Sequence, residues 1–183
     1  MQFKTLLISF IFSALVFTGC NNKKEETQSD AKTEKEIQNS FTLKSTNGQN
    51  INIVLENDKI LIQEYANKIV LLNFFATWCP PCKAEIPVLK KLQDKYANDL
   101  VIISVLLEND KTNEDLINFA NSYGINYIIT NGVENMNFQN ALGGIKSIPT
   151  MLMIDKNSNL FQKYVGMVPS EMLDIDIKKV LKK

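Results

Sequence analysis

The chain contains no histidine. That absence excludes general acid–base catalysis by imidazole, nucleophiles activated in Ser-His or Cys-His pairs, and zinc, copper or haem held by histidine. Net charge is missing as well: 20 Lys+Arg balance 20 Asp+Glu, so no bulk charge recruits nucleic acid. There are 3 cysteines, Cys20, Cys79 and Cys82. A zinc ribbon needs two Cys-x-x-Cys pairs, and without histidine the pair at 79 and 82 cannot complete four ligands in one chain, so no metal site is expected. A static disulfide fits little better, because two intervening residues close a loop too small to constrain much chain. No repeat or second domain is visible in the 183 residues, a length that suits one domain plus an N-terminal extension.

What is present is the run Phe74-Phe75-Ala76-Thr77-Trp78-Cys79-Pro80-Pro81-Cys82-Lys83-Ala84-Glu85-Ile86-Pro87. Two thiols separated by two residues stand where an apolar strand pattern ends and an amphipathic helix pattern begins. A helix N-terminus offers unpaired backbone N–H groups and a partial positive charge, and both favour a thiolate. The thiolate is the nucleophile of disulfide exchange, so redox chemistry fits this pair better than zinc or a static bridge.

Residues 1–19 read as an export signal. Lys4 supplies the positive region, and Leu6 to Phe17 is an apolar stretch too short for a comfortable membrane span. It ends in Phe17-Thr18-Gly19-Cys20, which resembles the bacterial lipobox, although Phe17 stands where that pattern usually has Leu. Cys20 is therefore expected to be lipidated, ahead of an uncleaved anchor or an ordinary cleavage that leaves a free thiol. From Asn21 to about Gln38 the chain is rich in Lys, Glu, Asn, Ser and Thr, so residues 20–38 form the lipidated end and a flexible tether. The folded domain is expected over residues 39–183.

Phe41 and Leu43 precede Asn47-Gly48, and Ile51, Ile53 and Leu55 follow with a period of two, the pattern of a β-hairpin. Lys59 to Tyr65 is ambiguous between strand and short helix. Ile69 to Phe75 is apolar almost throughout, as a strand covered on both faces requires. In the next helix Ile86, Leu89, Leu92 and Tyr96 share a face, and Pro87 should kink it. Val101 to Leu107 is a second buried strand. Thr112 to Asp115 opens a helix that ends near Gly124, and Asn126 to Thr130 gives a short strand. A short helix around Phe138 precedes two strands, Thr150 to Ile154 and Leu160 to Val165, which form an antiparallel pair. Ser170 to Leu181 is the last helix. This order describes an α/β sandwich around a mixed central sheet.

The chain resembles the thioredoxin-fold proteins, and among them the membrane-tethered TlpA/ResA-type thiol–disulfide oxidoreductases of bacterial envelopes. The resemblance spans about residues 40–183 and rests on Trp78-Cys79-Pro80-Pro81-Cys82 with Glu85 and Pro87. Ile148-Pro149-Thr150, some 65 residues later, is its second motif. It implies a thioredoxin-like sandwich with helices on both faces and an extra N-terminal β-hairpin. Cys79 would be the exposed nucleophile and Cys82 the deeper thiol that resolves the mixed disulfide. Pro149 would be a cis-proline beside them, the Ile148 backbone would pair with an extended substrate, and Trp78 would flank the site. Thioredoxin carries a buried acid at the place of Asn73, and an amide there takes up no proton. By resemblance Glu85, one turn beyond Cys82, belongs to the active site, where a raised pKa would let it accept the Cys82 proton.

The Pro-Pro pair and the lack of a cation beside Cys79 favour a reductase over an oxidase or isomerase. The resemblance implies no cofactor beyond the redox-active cysteines. It also implies a location outside the cytoplasm, a membrane thiol-relay donor, and protein disulfide substrates such as apocytochrome c or its maturation chaperone. A thiol peroxidase and a non-catalytic envelope lipoprotein are the weaker alternatives: Thr77-Trp78-Cys79 lacks the peroxidase spacing, and the intact pair argues against a purely binding role.

Overall fold

The computed structural model describes residues 39–182; the expected signal peptide, Cys20 and the tether lie outside them. The sequence order is β1 (Ser40–Ser45), β2 (Asn50–Glu56), β3 (Lys59–Ile62), a 3-10 turn (Gln63–Tyr65), β4 (Ile69–Phe75), α1 (Pro80–Lys95) and β5 (Leu100–Leu106). It continues with α2 (Asn113–Tyr123), β6 (Ile128–Asn131), α3 (Val133–Ala141), β7 (Thr150–Ile154), β8 (Leu160–Val165) and α4 (Ser170–Leu181). The eight strands form one mixed sheet ordered β3-β2-β1-β6-β5-β4-β7-β8, with β4–β5 and β5–β6 parallel and the other pairs antiparallel. This is the thioredoxin-like sandwich the sequence implied.

β4 lies inside the sheet, and all seven of its residues are buried, which explains an apolar run broken only by Asn73. Alternation sends Ile69, Leu71 and Phe75 to one face and Val70, Leu72 and Phe74 to the other. On the first face pack Leu89 and Leu92 of α1, Leu116 of α2, and Leu173, Ile177 and Val180 of α4. The second face receives Phe138 of α3 together with the apolar side chains of β1, β2 and β3. Helices therefore cover both faces, but three share one of them.

The N-terminal element is larger than a hairpin. Lys59–Tyr65 is both strand and short helix: β3 extends β1 and β2 to a three-stranded meander, and a 3-10 turn follows. The sheet curls until its ends meet, with the Ile60 N–H donating to the Ser158 carbonyl at 2.9 Å. α1 continues through Pro87 as one helix. Pro87 is exposed, so solvent can meet the Lys83 carbonyl that its missing N–H leaves unpaired. α2 starts as expected: Thr112 and Asp115 make a reciprocal capping box, and Gly124 ends the helix at φ 58°.

Phe138 is fully buried, with its ring 5.5 Å from Phe41 and 6.1 Å from Phe74. Phe138→Ala should lower the unfolding free energy by about 3–5 kcal/mol in a denaturant titration. A loss under about 1 kcal/mol would show that the meander and α3 do not share one core with β4.

Candidate active site

β4 ends at Phe75 and delivers the chain into Ala76-Thr77-Trp78, a loop pinned from β5's end by Glu108. The Glu108 carboxylate accepts from the Thr77 backbone N–H and, at 3.2 Å, from the Thr77 hydroxyl. Cys79 then takes the N-cap of α1 with extended backbone, φ −80° and ψ 109°. The first two helical positions are Pro80 and Pro81, which have no N–H to offer. The Cys82 N–H is therefore the first donor of the helix end, and it points at Cys79 Sγ from 3.3 Å. Cys79 and Cys82 form a disulfide with Cα atoms 5.3 Å apart.

Across from the pair, the Ile148-Pro149 peptide is cis, as expected. The Ile148 carbonyl oxygen lies 4.0 Å from Cys79 Sγ. The turn is stitched to the end of β8 by the Gly166 N–H, which donates to the Pro149 carbonyl at 2.8 Å. Two residues on, the Val168 N–H donates to Glu85 Oε1 at 3.0 Å. Thus the helix carrying the cysteines, the Pro149 turn and the loop before α4 are joined behind the disulfide.

Glu85 is only 2% exposed, so it is not a solvated helix glutamate. Burial pushes its pKa up to about 7, opposed in part by the Val168 N–H that stabilises the charge. Asn73, from the same face of β4, is also buried and donates from Nδ2 to Ser104 Oγ at 3.0 Å. Half-buried Tyr127 completes this polar pocket. Burial raises its pKa, contact with the Ser104 hydroxyl lowers it, and the nearby Glu85 charge raises it further.

The structure brings together Cys79, Cys82, Glu85, Ile148 and Pro149. It corrects one expectation: Cys79 is not the exposed thiol of the pair. At 2% exposure it is as buried as Cys82 at 4%, because its sulfur is bonded inward and backed by the Ile148 carbonyl. Pro149 is buried and Ile148 half-buried. Trp78, next to Cys79 in the chain, exposes its ring to solvent at 65%. Reasoning from the sequence missed Glu108, Val168, Ser104 and Tyr127. One signal was available: Asn73 and Ser104 are the single polar residues of two buried strands and stand in register. Val168 acts through its backbone N–H, for which no residue type signals. Among the described residues no group of three or more His, Cys, Asp or Glu side chains is placed to hold a metal ion.

A cysteine pair at a helix N-terminus, facing a cis-proline turn on a thioredoxin-like sheet, defines a thiol–disulfide oxidoreductase. The redoxin family model matches residues 31–181, and the chain belongs to that family. It is 34% identical over 130 residues to the thiol-disulfide oxidoreductase ResA of Bacillus thuringiensis, covering 69% of this chain and 71% of that one. It is also 34% identical over 127 residues to the thioredoxin-like protein YneN of Bacillus subtilis, covering 67% and 73%. Among solved structures, a putative thiol:disulfide interchange protein DsbE from Chlorobium tepidum matches with a TM-score of 0.62 and 23% identity over 78% of this chain and 93% of that one. StoA from Bacillus subtilis matches with a TM-score of 0.57 and 21% identity over 75% and 95%. The chain is thus a TlpA/ResA-type thioredoxin-like oxidoreductase that acts on protein disulfides, with the Cys79–Cys82 pair itself carrying the electrons.

The carboxyl of Glu85 has an ordinary value of 4.5 and a value of about 7 in the fold. A raised folded value means that its contribution to stability is fully present below 4.5 and is lost as pH rises through 7, about 3 kcal/mol in all. Relative to wild type, Glu85→Gln should therefore gain about 3 kcal/mol of unfolding free energy across that window. Parallel pH profiles for the two proteins would place the carboxyl in water.

Proposed function

We propose that the protein is a reductase of protein disulfides working outside the cytoplasm, tethered through a lipid on Cys20 and the segment 21–38. One observation carries the direction of electron flow: Pro80 and Pro81 strip the helix end of its first two N–H donors, leaving the Cys82 N–H as the donor aimed at Cys79 Sγ. A thiolate stabilised by few donors makes the dithiol form less stable relative to the disulfide, and such a couple gives electrons away. The chain also has no histidine to supply a cation beside Cys79.

In the working direction the Cys79 thiolate attacks one sulfur of the substrate disulfide, forming a mixed disulfide and releasing one substrate thiolate. Cys82 gives its proton to Glu85 and attacks Cys79 Sγ. The Cys79–Cys82 bond forms, and the second substrate sulfur leaves as a thiolate. The substrate has gained two electrons and the protein holds the disulfide. A membrane thiol-relay donor then returns the electrons. Ile148 presents backbone, and Trp78 a ring, to the extended segment around the substrate cysteine. The relatives named thiol-disulfide oxidoreductase ResA support this class of reaction. The oxidised Cys-x-x-Cys-His site of apocytochrome c, or a maturation chaperone, is the substrate that the family resemblance favours.

The redox potential of the Cys79–Cys82 pair, measured by equilibration with a dithiol buffer, tests the direction. It should lie below about −200 mV, in the range of reductants. A value close to about −120 mV, that of a strong oxidant, would overturn the reductase reading.

A further inference from the structure

Two buried oxygens have no hydrogen-bond partner among the described residues: Asn73 Oδ1 and Glu85 Oε2. An unmet buried acceptor is costly, and two in one place call for a shared cause. Both belong to the layer where β4 packs against α1. Leu71 and Leu89 belong to one apolar cluster, and Phe75 and Cys82 to the next. Asn73 stands between Leu71 and Phe75 on this face of β4, while Glu85 stands between Cys82 and Leu89 on α1. The other half of each group is already committed. Asn73 Nδ2 donates to Ser104 Oγ at 3.0 Å, and Glu85 Oε1 accepts from the Val168 N–H at 3.0 Å. Two acceptors cannot bond each other, but a carboxyl carrying its proton on Oε2 has an O–H to donate, and an amide oxygen takes it.

We propose that Asn73 is a positioning residue that holds the proton on Glu85 while the protein is in its disulfide form, with Glu85 Oε2–H donating to Asn73 Oδ1. The idea rests on Glu85 as acceptor of the Cys82 proton. When Cys82 resolves the mixed disulfide, its S–H bond breaks, the proton moves to Glu85 Oε2, and the Cys79–Cys82 bond forms as the substrate thiolate leaves. Asn73 keeps that proton in place. When a dithiol donor attacks Cys79, Cys82 departs as a thiolate and takes the proton back from Glu85. An amide at position 73 cannot ionise, so it accepts the bond without competing for the proton.

The Val168 N–H, from the loop before α4, reaches Glu85 directly, and Tyr127, from the approach to β6, feels its charge and meets Ser104 of β5, which bonds Asn73 of β4; Cys82 lies one turn back on the same helix. β7 and α4 add apolar Met151 and Leu173. Tyr127 stays protonated, since burial raises its pKa, and it steadies Ser104, which in turn fixes the Asn73 amide.

Infrared spectroscopy of the full-length protein in its disulfide form reads the proposed bond directly. Below the midpoint near 7, a protonated carboxyl band should be present, assigned to Glu85 by its loss in Glu85→Gln. Asn73→Leu should move that band to the higher frequency of a carboxyl that donates no hydrogen bond. On the unmutated protein, the Asn73 side-chain carbonyl carbon should shift in NMR with the same midpoint as the Glu85 carboxyl carbon. An unmoved band, or an Asn73 carbon that stays flat through the titration, overturns the role of Asn73 and leaves Glu85 as acceptor standing. The absence of any Glu85 carboxyl band below that midpoint overturns both.

Discussion

The site depends on one hydrogen bond, from the Val168 N–H to Glu85 Oε1. It brings a carboxyl group out of water and holds it one helical turn beyond Cys82. The same loop reaches the substrate side, because the Gly166 N–H binds the Pro149 carbonyl and the neighbouring Ile148 carbonyl lies beside Cys79 Sγ. Helix α1, the cis-proline turn and the loop before α4 are thereby linked around the disulfide. Without that donor the buried carboxylate would lose the backbone hydrogen bond that partly offsets its desolvation, and both its position and its proton affinity would change.

Two constraints acting on the helix end set the chemistry in front of this anchor. Proline at the first two helical positions removes backbone donors, so Cys79 receives one N–H where a helix terminus would ordinarily offer more. Glu108 locks the preceding loop through Thr77, which fixes where the helix begins. The front of the site is thus poor in groups that stabilise a thiolate on Cys79, while its back carries an acid able to exchange a proton near neutral pH. Under the proposed reductase reading, Cys79 is a weakly stabilised nucleophile and Cys82 a resolving thiol with Glu85 as its base, a combination that suits an electron-giving exchange.

Much of this was legible in the chain. The six apolar residues among the seven from Ile69 to Phe75, the Thr112 to Asp115 cap and the spacing of Leu173, Ile177 and Val180 report local periodicity and capping, which sequence expresses directly. The Cys79 and Cys82 pair, Glu85 and the Ile148-Pro149 motif were equally visible. What escaped depends on distant partners. β3 became a strand because it could join the meander and close against the β7–β8 turn, a contact between residues about a hundred positions apart. Glu85 could have been a surface glutamate until Val168 arrived to bury it, and a backbone donor leaves no mark in composition. The family resemblance implied an exposed Cys79, yet the Ile148 carbonyl and the bond to Cys82 cover it.

In the proposed mechanism Glu85 takes the Cys82 proton as the mixed disulfide resolves. The most direct measurement is the single-turnover rate of that resolution, starting from a mixed disulfide on Cys79 and followed from below to above pH 7 in wild type and Glu85→Gln. Wild type should show an inflection near 7, the value to which burial raises the carboxyl. Glu85→Gln should lose the inflection and release the substrate about a hundredfold more slowly. Matching rates and matching pH profiles in the two proteins would contradict the account.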